Sequence, residues 1–281
     1  MDIKFHCYNE PHFKDGQQIN AFLYTDYYIE AHNHDFYEMN IVLKGTGTHQ
    51  IENACFNVKA GDVFVIPPMT VHAYYDTKDL DVYHILLHKE FISANQAESA
   101  NMPGFLQFVE IEPFLRQHFS DAMFLHLSQN QLIQLKSDLN MIDDSNTFNS
   151  REFIPFRNHI MWKILYWLSY LLYNQVYSDK KKTLNKYEQA ILQSLEYIHQ
   201  NYGEKITIEL LCKKTYLSRS TFLRNFHDIC HCTPMQYLNQ YRCKKALEML
   251  DSTDASKTEI AHQCGFYDLS HMERILKRNS L

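Results

Sequence analysis

The segment "ITIELLCKKTYLSRSTFLRNF" (residues 206–226) decides the fold of the C-terminal third of this chain. Its apolar residues recur every three or four positions on both sides of a short polar break, a spacing that predicts two short helices joined by a turn. Ser218 stands where the second helix would begin, and serine is a favoured N-cap. We therefore predict a helix-turn-helix unit. Four side chains of its second helix would face outward: Arg219, Ser220, Leu223 and Arg224.

A second unit of the same kind is predicted from "KTEIAHQCGFYDLSHMERILKR" (residues 257–278). Ser256 and Glu259 have the spacing of a capping box, which would start the first helix. Gly265 stands where the tight turn needs a glycine, and Asp268 can cap the second helix. The two units are separated by "TPMQYLNQYRCKKALEML" (residues 233–250), which opens with the N-cap, first-turn proline and capping-box residues of a helix.

That connecting helix would have about 17 residues and a length of roughly 25 Å. A rod of this kind can hold two recognition helices about one DNA turn apart, roughly 34 Å, so that both enter the major groove on one face of the duplex. One such unit would leave an all-α domain without a DNA role as an equal alternative. Two units that flank a capped helix favour DNA binding.

The segment from about 188 to 281 resembles the DNA-binding domain of the AraC/XylS family of transcription regulators, with "LSRSTFLRNF" and "EIAHQCGFYDLSHMERILKR" as matching stretches. The resemblance implies DNA contacts from Ser220, Leu223 and Arg224 in the first unit. In the second unit it implies contacts from Leu269, Ser270, His271, Glu273 and Arg274. The chain departs from the family pattern at His231, Met272 and Leu276, and the family's usual closing segment is not found before Leu281.

The first part of the chain, up to about residue 92, reads as strands. "MNIVLKG" (39–45), "CFNVKAG" (55–61) and "DVFVIPP" (62–68) are β-branched and aromatic runs that end in Gly or Pro. Gly45, Gly47 and Gly61 are expected in turns between antiparallel strands. From about residue 121 the pattern becomes helical. The long apolar segment 151–177 predicts a helix that packs on the strands, on another helix or on a second subunit.

Within the strand region, "AHNHDFYEMNIVLKG" (31–45) places His32, His34 and Glu38 on one face of an extended chain, and "GDVFVIPPMTVH" (61–72) adds His72. The two stretches resemble the two cupin signatures, with departures at Met69 and Asp76. This resemblance implies an all-β barrel, and cupin barrels are the sensor domain of many AraC-type regulators. We interpret the four residues as effector-binding. The same four could instead hold Zn, Mn or Fe(II), or they could be histidines that only stabilise strand ends.

Composition agrees with a two-domain globular protein of 281 residues and net charge −6. Residues 188–281 carry 12 basic and 11 acidic side chains, so the acidic excess lies in the first part of the chain. The seven cysteines are odd in number and scattered, which favours a reduced, cytoplasmic setting over a disulfide framework. No apolar run predicts a membrane span, and the N-terminus does not read as a signal peptide.

The domains predicted are a cupin-like effector-binding and dimerisation domain (1–177), a linker (178–189) and an all-α DNA-binding domain with two helix-turn-helix units (190–281). The predicted function is a ligand-responsive transcription regulator, not an enzyme, that binds double-stranded DNA as a homodimer and senses a sugar or sugar derivative. No cofactor is expected beyond a possible divalent metal. The alternatives are a metal-dependent cupin isomerase or dioxygenase and a ligand-binding module whose DNA-binding half has decayed. Whether the protein activates or represses is left open.

Overall fold

Eight strands form one sheet in the N-terminal part of the computed structural model, which describes residues 6–8, 13, 16–52, 54–94, 99, 102–113, 116, 125–143, 150–177, 186–230 and 232–279. The strands are β1 (His6–Tyr8), β2 (Ile19–Tyr24), β3 (Ile29–His34), β4 (Tyr37–Ile51), β5 (Ala54–Lys59), β6 (Asp62–Ile66), β7 (His72–Leu87) and β8 (Leu125–His126). The sheet order is β1-β3-β7-β4-β6-β8, with β2 on β7 and β5 on β4. This confirms the all-β N-terminal domain, and the three predicted strand runs lie in β4, β5 and β6.

The two longest strands, β4 and β7, pair along most of their lengths and correct one expectation from the sequence. Gly45 and Gly47 lie inside β4 rather than in turns. The register shifts on both sides of Gly45, which has φ +79, and a Cβ there would lie 2.1 Å from the backbone oxygen of Asp79. Glycine is therefore required by a bulge in a continuous strand. Only Gly61, between β5 and β6, occupies the predicted kind of turn.

After β7, the described residues of this part of the chain are mostly helical. They are α1 (Lys89–Ser93), a π-helix (Gln107–Ile111), α2 (Gln129–Ile142), a 3-10 turn (Arg151–Phe153) and α3 (Ile154–Tyr177). The predicted long helix is α3, and it packs against α2, the π-helix and β8. Packing buries its apolar face, which comprises Met161, Ile164, Leu165, Leu168 and Leu172. The short strand β8 is the one strand after residue 92 among the described residues, and it pairs with β6.

The chain divides into two compact units, Met1–Lys180 and Lys181–Leu281, and the boundary falls inside the predicted linker. The end of that linker is corrected, because Lys186–Gln189 form the first turn of helix α4 (Lys186–Asn201). The helix is amphipathic, with Ala190, Ile191, Leu195 and Ile198 on its buried face. The other linker residues, 178–185, lie outside the described residues.

The second unit is all-α, as predicted. After α4 come α5 (Ile208–Thr215), α6 (Arg219–Cys230), α7 (Pro234–Ser252), α8 (Lys257–Gln263) and α9 (Leu269–Asn279). The predicted capping boxes are confirmed at the starts of α7 (Thr233 with Gln236) and α8 (Ser256 with Glu259). The connecting helix α7 has 19 residues, two more than predicted. His231, where the family resemblance departs, lies outside the described residues.

Each helix-turn-helix unit has its own apolar interior. In the first, Phe222 and Phe226 of α6 are fully buried, and the Phe226 ring meets Tyr237 of α7 edge-on at 5.9 Å. In the second, Met272 stands in place of an aromatic residue and is 1% exposed. It packs with Ile260, Ala261 and Phe266, so this departure leaves the core filled. No helix among the described residues is both long enough and apolar enough to cross a membrane.

Candidate functional site

Three strands bring together the four candidate residues of the barrel. β3 carries His32 and His34, Glu38 is the second residue of β4, and His72 is the first residue of β7. The register places His32 directly opposite His72. All four side chains are buried, with exposed fractions between 0 and 5%. The four side chains face the interior, but the expected single extended segment is corrected, because His34 ends one strand and Glu38 lies at the start of the next.

The carboxylate of Glu38 is the centre of this cluster. Its Oε2 lies 3.0 Å from Nε2 of His34 and 3.6 Å from Nε2 of His72. Its Oε1 lies 2.8 Å from Nδ1 of His84, a third histidine that also faces it. Burial alone would raise the pKa of Glu38, but hydrogen bonds from the three histidines together outweigh burial and hold that pKa well below its ordinary value. Glu38 is therefore a buried anion.

The histidine rings are held in one orientation by the backbone. In His32, His34 and His72, Nδ1 lies 2.9, 2.8 and 3.2 Å from the carbonyl oxygen of a residue two positions away. A carbonyl oxygen only accepts, so Nδ1 carries the hydrogen in each ring. Nε2 is then the nitrogen left to face the interior of the barrel. The backbone thus fixes both the tautomer and the direction of each imidazole.

Because Nδ1 carries the hydrogen in these rings, the space between them and Glu38 needs a positive charge or a hydrogen-bond donor. With hydrogen on Nδ1, a neutral His34 would present the Nε2 lone pair to the Glu38 carboxylate, and two acceptors repel. A proton on Nε2, a polar ligand or a cation relieves the repulsion. Ligand atoms of His32, Glu38 and His72 lie within 4.8 Å of one another. The donor set, two imidazoles and a carboxylate with fixed ring orientation, suits a divalent transition metal.

Two histidines of this interior are missing from the sequence-based prediction. His84 lies opposite Asn40 in the register of β4 with β7, which is how it reaches Glu38. Its ring stacks on Phe22 at 5.7 Å and meets Tyr27 edge-on at 4.5 Å. The ring of His49 stacks on those of Phe64 and Tyr74, with centroid distances of 4.6 and 4.3 Å. Burial and, after it, the charge of Arg116 keep the pKa of His49 well below its ordinary value.

Several aromatic residues near the site are held by contacts with other parts of the unit. The hydroxyl of Tyr37 donates to Glu110 at 2.9 Å. That of Tyr83 lies 3.0 Å from the carbonyl oxygen of Leu139 and 2.9 Å from Asp143, which ties β7 to α2. Phe36 differs, because its ring stacks on His34 at 4.3 Å and so supports a site histidine.

In the second unit, the residues predicted to contact DNA lie on the two helices that follow the turns. On α6, Arg219, Ser220 and Arg224 are exposed and Leu223 is half-buried. The carboxylate of Glu209 accepts a hydrogen bond from Arg219. The hydroxyl of Ser218 accepts from the backbone N–H of Thr221 at 3.3 Å, which confirms the predicted cap of α6.

On α9, Ser270, Glu273 and Arg274 are exposed, while Leu269 and His271 are half-buried. Asp268 accepts from the backbone N–H of His271 at 2.7 Å, so this predicted cap is also confirmed. Ser270, His271 and Arg274 line one surface depression together with Asp268 and Tyr267. Leu269 packs partly against the core of the unit, which leaves less of its side chain for DNA than its neighbours offer.

Comparison with known proteins assigns a family description to each unit. A family model described as an AraC-like ligand-binding domain matches residues 22–138, and a model described as a helix-turn-helix domain matches residues 211–280. The first match spans β2 to α2 and contains all four candidate residues of the barrel. The second contains α6 to α9 and every residue predicted to contact DNA.

Two curated relatives extend over most of the chain. The uncharacterized HTH-type transcriptional regulator YdeC of Bacillus subtilis is 28% identical over 91% of this chain and 82% of its own length. The HTH-type transcriptional activator RhaS of Salmonella arizonae is 25% identical over 88% of this chain and 83% of its own. The crystal structure of ToxT from Vibrio cholerae aligns over 93% of this chain and 94% of its own, at 11% identity and a TM-score of 0.38. One model matches the barrel and the other matches the paired helix-turn-helix units, so this chain combines an AraC-like ligand-binding domain with a helix-turn-helix domain, as expected of an AraC-type transcription regulator.

Proposed function

We propose that this regulator binds a small, hydroxyl-rich effector, a sugar or sugar derivative, at His32, His34, Glu38 and His72. The observation that carries the proposal is the buried Glu38 carboxylate, which has nitrogens of three histidines 2.8–3.6 Å from its oxygens. Nε2 of His84 is buried without a hydrogen-bond partner among the described residues, while Nε2 of His34 and of His72 approach the Glu38 carboxylate at 3.0 and 3.6 Å. Buried polar groups are normally satisfied, and a polyhydroxylated ligand supplies both the donors and the acceptors that this interior needs.

A thermal-shift screen of the full-length protein against monosaccharides and sugar phosphates tests the effector. Binding to the folded state raises the melting temperature by mass action, and about 2.7 kcal/mol of stabilisation is expected at 100 times the dissociation constant. The Glu38→Gln variant keeps the size of the side chain and removes its charge, so the shift should be lost. Glu90→Gln, at an exposed position on α1, is the matched control. A shift that persists in Glu38→Gln would place the effector elsewhere.

A divalent metal is a second candidate occupant of the same cluster, and the observation that favours it is the backbone-fixed Nδ1 of three histidines. His32, Glu38 and His72 would hold the ion, which would supply positive charge beside Glu38 and a Lewis-acidic position for an effector oxygen. Elemental analysis of the purified protein, with the His32→Ala/His72→Ala double variant as comparison, tests this. Stoichiometric metal that is lost in the double variant supports the ion, and metal-free wild-type protein contradicts it.

For the DNA-binding unit, we propose that α6 and α9 are the recognition helices and that Arg224 and Arg274 are their main contacts. Both guanidinium groups are exposed, and arginine donates two hydrogen bonds to guanine or pairs with a phosphate. The other proposed contacts are Arg219, Ser220, Leu223, Leu269, Ser270, His271 and Glu273.

Fluorescence anisotropy on DNA from upstream of the protein's own gene, measured over a range of salt concentrations, tests these contacts. Arg224→Ala and Arg274→Ala should each weaken binding by about 1–3 kcal/mol if they read bases, or reduce the salt slope by about one if they contact phosphates. Arg151→Ala, in the other unit, is the control. Unchanged affinity and salt slope in both variants would refute the assignment.

We further propose that the regulator acts as a homodimer in the cytoplasm. Paired subunits would engage two half-sites, and a change in the barrel would alter the geometry of that engagement. The six cysteines whose side chains the structure describes are free thiols, which agrees with a reducing compartment. Sedimentation equilibrium with and without DNA tests the dimer, and a monomer in both conditions would contradict it.

A further inference from the structure

The turn of the first helix-turn-helix unit holds a residue in an unfavourable backbone conformation. Tyr216, at the C-cap of α5, has φ 55 and ψ 28, in the left-handed region. Residues with a Cβ meet a steric penalty there, and glycine is the usual occupant. For a bulky aromatic residue this conformation is a genuine outlier, and such outliers persist where a function maintains them.

The second unit offers an internal comparison. Its turn carries Gly265 at φ +76, and a Cβ at that position would lie 2.6 Å from the guanidinium of Arg242 and 2.7 Å from the backbone oxygen of Tyr202. Glycine is therefore required in the second unit. In the first unit nothing in the fold selects tyrosine, because the side chain of Tyr216 is 95% exposed. Packing within the unit therefore does not explain why position 216 is a tyrosine.

A side chain at this turn is well placed to reach a DNA backbone. In helix-turn-helix proteins the N-terminal residues of the recognition helix contact base edges, so the turn that leads into this helix lies beside the phosphates at the rim of the groove. Tyr216 is three residues before the start of α6. A tyrosine hydroxyl donates a hydrogen bond to phosphate oxygens, and contacts of this kind set the register of the protein on the duplex.

The second unit has an exposed tyrosine in a comparable place. Tyr267 is 86% exposed and lies two residues before the start of α9. It lines the same surface depression as Ser270, His271 and Arg274, three of the residues proposed to contact DNA. Tyr216 and Tyr267 have the largest exposed fractions among the large hydrophobic side chains of the described residues. Both lie next to the beginning of a recognition helix.

We propose that Tyr216 and Tyr267 are positioning residues that bind phosphate oxygens on either side of the major groove and fix the two recognition helices on the duplex. This proposal rests on the proposed DNA-binding role of α6 and α9. The contacts are to the backbone, so they strengthen binding to all DNA sequences and do not select among them. The unfavourable conformation of Tyr216 is retained because glycine would provide no hydroxyl.

The test uses full-length protein and two labelled duplexes of equal length, one from upstream of its own gene and one of random sequence. Tyr216→Phe removes only the hydroxyl. One net hydrogen bond corresponds to about 3- to 10-fold in affinity, and this loss should appear on both duplexes. Tyr216→Gly removes the hydroxyl and relieves the backbone, so it should raise the melting temperature while it weakens binding at least as much. Tyr267→Phe should behave like Tyr216→Phe.

Tyr28→Phe, at an exposed tyrosine of the other unit, is the control and should bind like the wild type. A Tyr216→Gly variant that is more stable and binds both duplexes with wild-type affinity would overturn the proposal, as would wild-type affinity in both Phe variants. Arg224→Ala separates this failure from failure of the proposed function. If Arg224→Ala weakens binding and the tyrosine variants do not, only the tyrosine contacts are refuted. If no variant weakens binding, the recognition helices are also wrongly assigned.

Discussion

Glu38 shows how a single buried charge organises the interior of the barrel. Its carboxylate lies 2.8–3.6 Å from nitrogens of three histidines, and it is 4% exposed. We expect Glu38→Gln to destabilise the N-terminal unit by about 3–5 kcal/mol, because removing one partner of a buried charge pair leaves the other without compensation. Calorimetry resolves this as a lower melting temperature. A Gln variant as stable as the wild type would show that the histidines are neutral without Glu38.

The buried histidines predict acid lability in chelator-treated protein. Burial and the neighbouring His72 lower the pKa of His32 from 6.5 to about 4. Between those values the unfolded chain binds a proton that the folded protein does not, so stability falls as pH decreases from about 6.5 towards 4. The slope is about 1.4 kcal/mol per pH unit for one such group. His49 has the same direction of shift.

Urea unfolding at several pH values between 7.5 and 5 measures this slope. The slope should be shallower in His32→Gln, because that side chain does not titrate. If the wild type and His32→Gln lose stability equally with falling pH, then His32 is not the group responsible.

At the scale of secondary structure, the helix caps were predicted because their information is local. Thr233 accepts from the backbone N–H of Gln236 at 3.3 Å, and the Gln236 side chain accepts from the backbone N–H of Thr233 at 2.8 Å. We expect Thr233→Ala to destabilise the C-terminal unit by about 1 kcal/mol. Chemical unfolding followed by far-UV circular dichroism measures the loss. Thr258→Ala, at an exposed position within α8, is the control, and an equal effect there would exclude capping as the cause.

The same distinction between local and distant information explains which parts of the site were predicted. His32 and His34 alternate along β3, so strand periodicity places these two side chains on one face, whereas Glu38 joins them from the start of β4. His84 is 46 positions from Glu38, and it meets the carboxylate only because Asn40 pairs with it in the register of β4 and β7. That register includes shifts near Gly45. A bulge changes which residues face inward, and no local pattern reveals it.

Tyr216 represents a different limit of prediction. Its turn follows α5 at the expected position, but the left-handed conformation of a tyrosine runs against its intrinsic preference. Sequence reasoning assigns glycine or asparagine to such positions, as it did correctly for Gly265. The left-handed conformation is known only from φ, and under our proposal a phosphate contact is the reason that tyrosine is retained there.

At the scale of the whole molecule, regulation requires that effector and DNA binding influence each other. A ligand that binds the two states of the regulator equally would switch nothing. We expect a sugar found in the thermal-shift screen to change the affinity for upstream DNA by about 5- to 150-fold, the usual range of coupling between sites. Linkage also requires DNA to change the affinity for that sugar by the same factor. Anisotropy with labelled DNA and calorimetry with the sugar measure the two affinity changes independently.

Glu38→Gln should bind DNA with an affinity that the sugar no longer alters, while Arg224→Ala should bind the sugar like the wild type. Equal DNA affinities with and without saturating sugar would mean that the barrel binds a ligand without controlling the recognition helices.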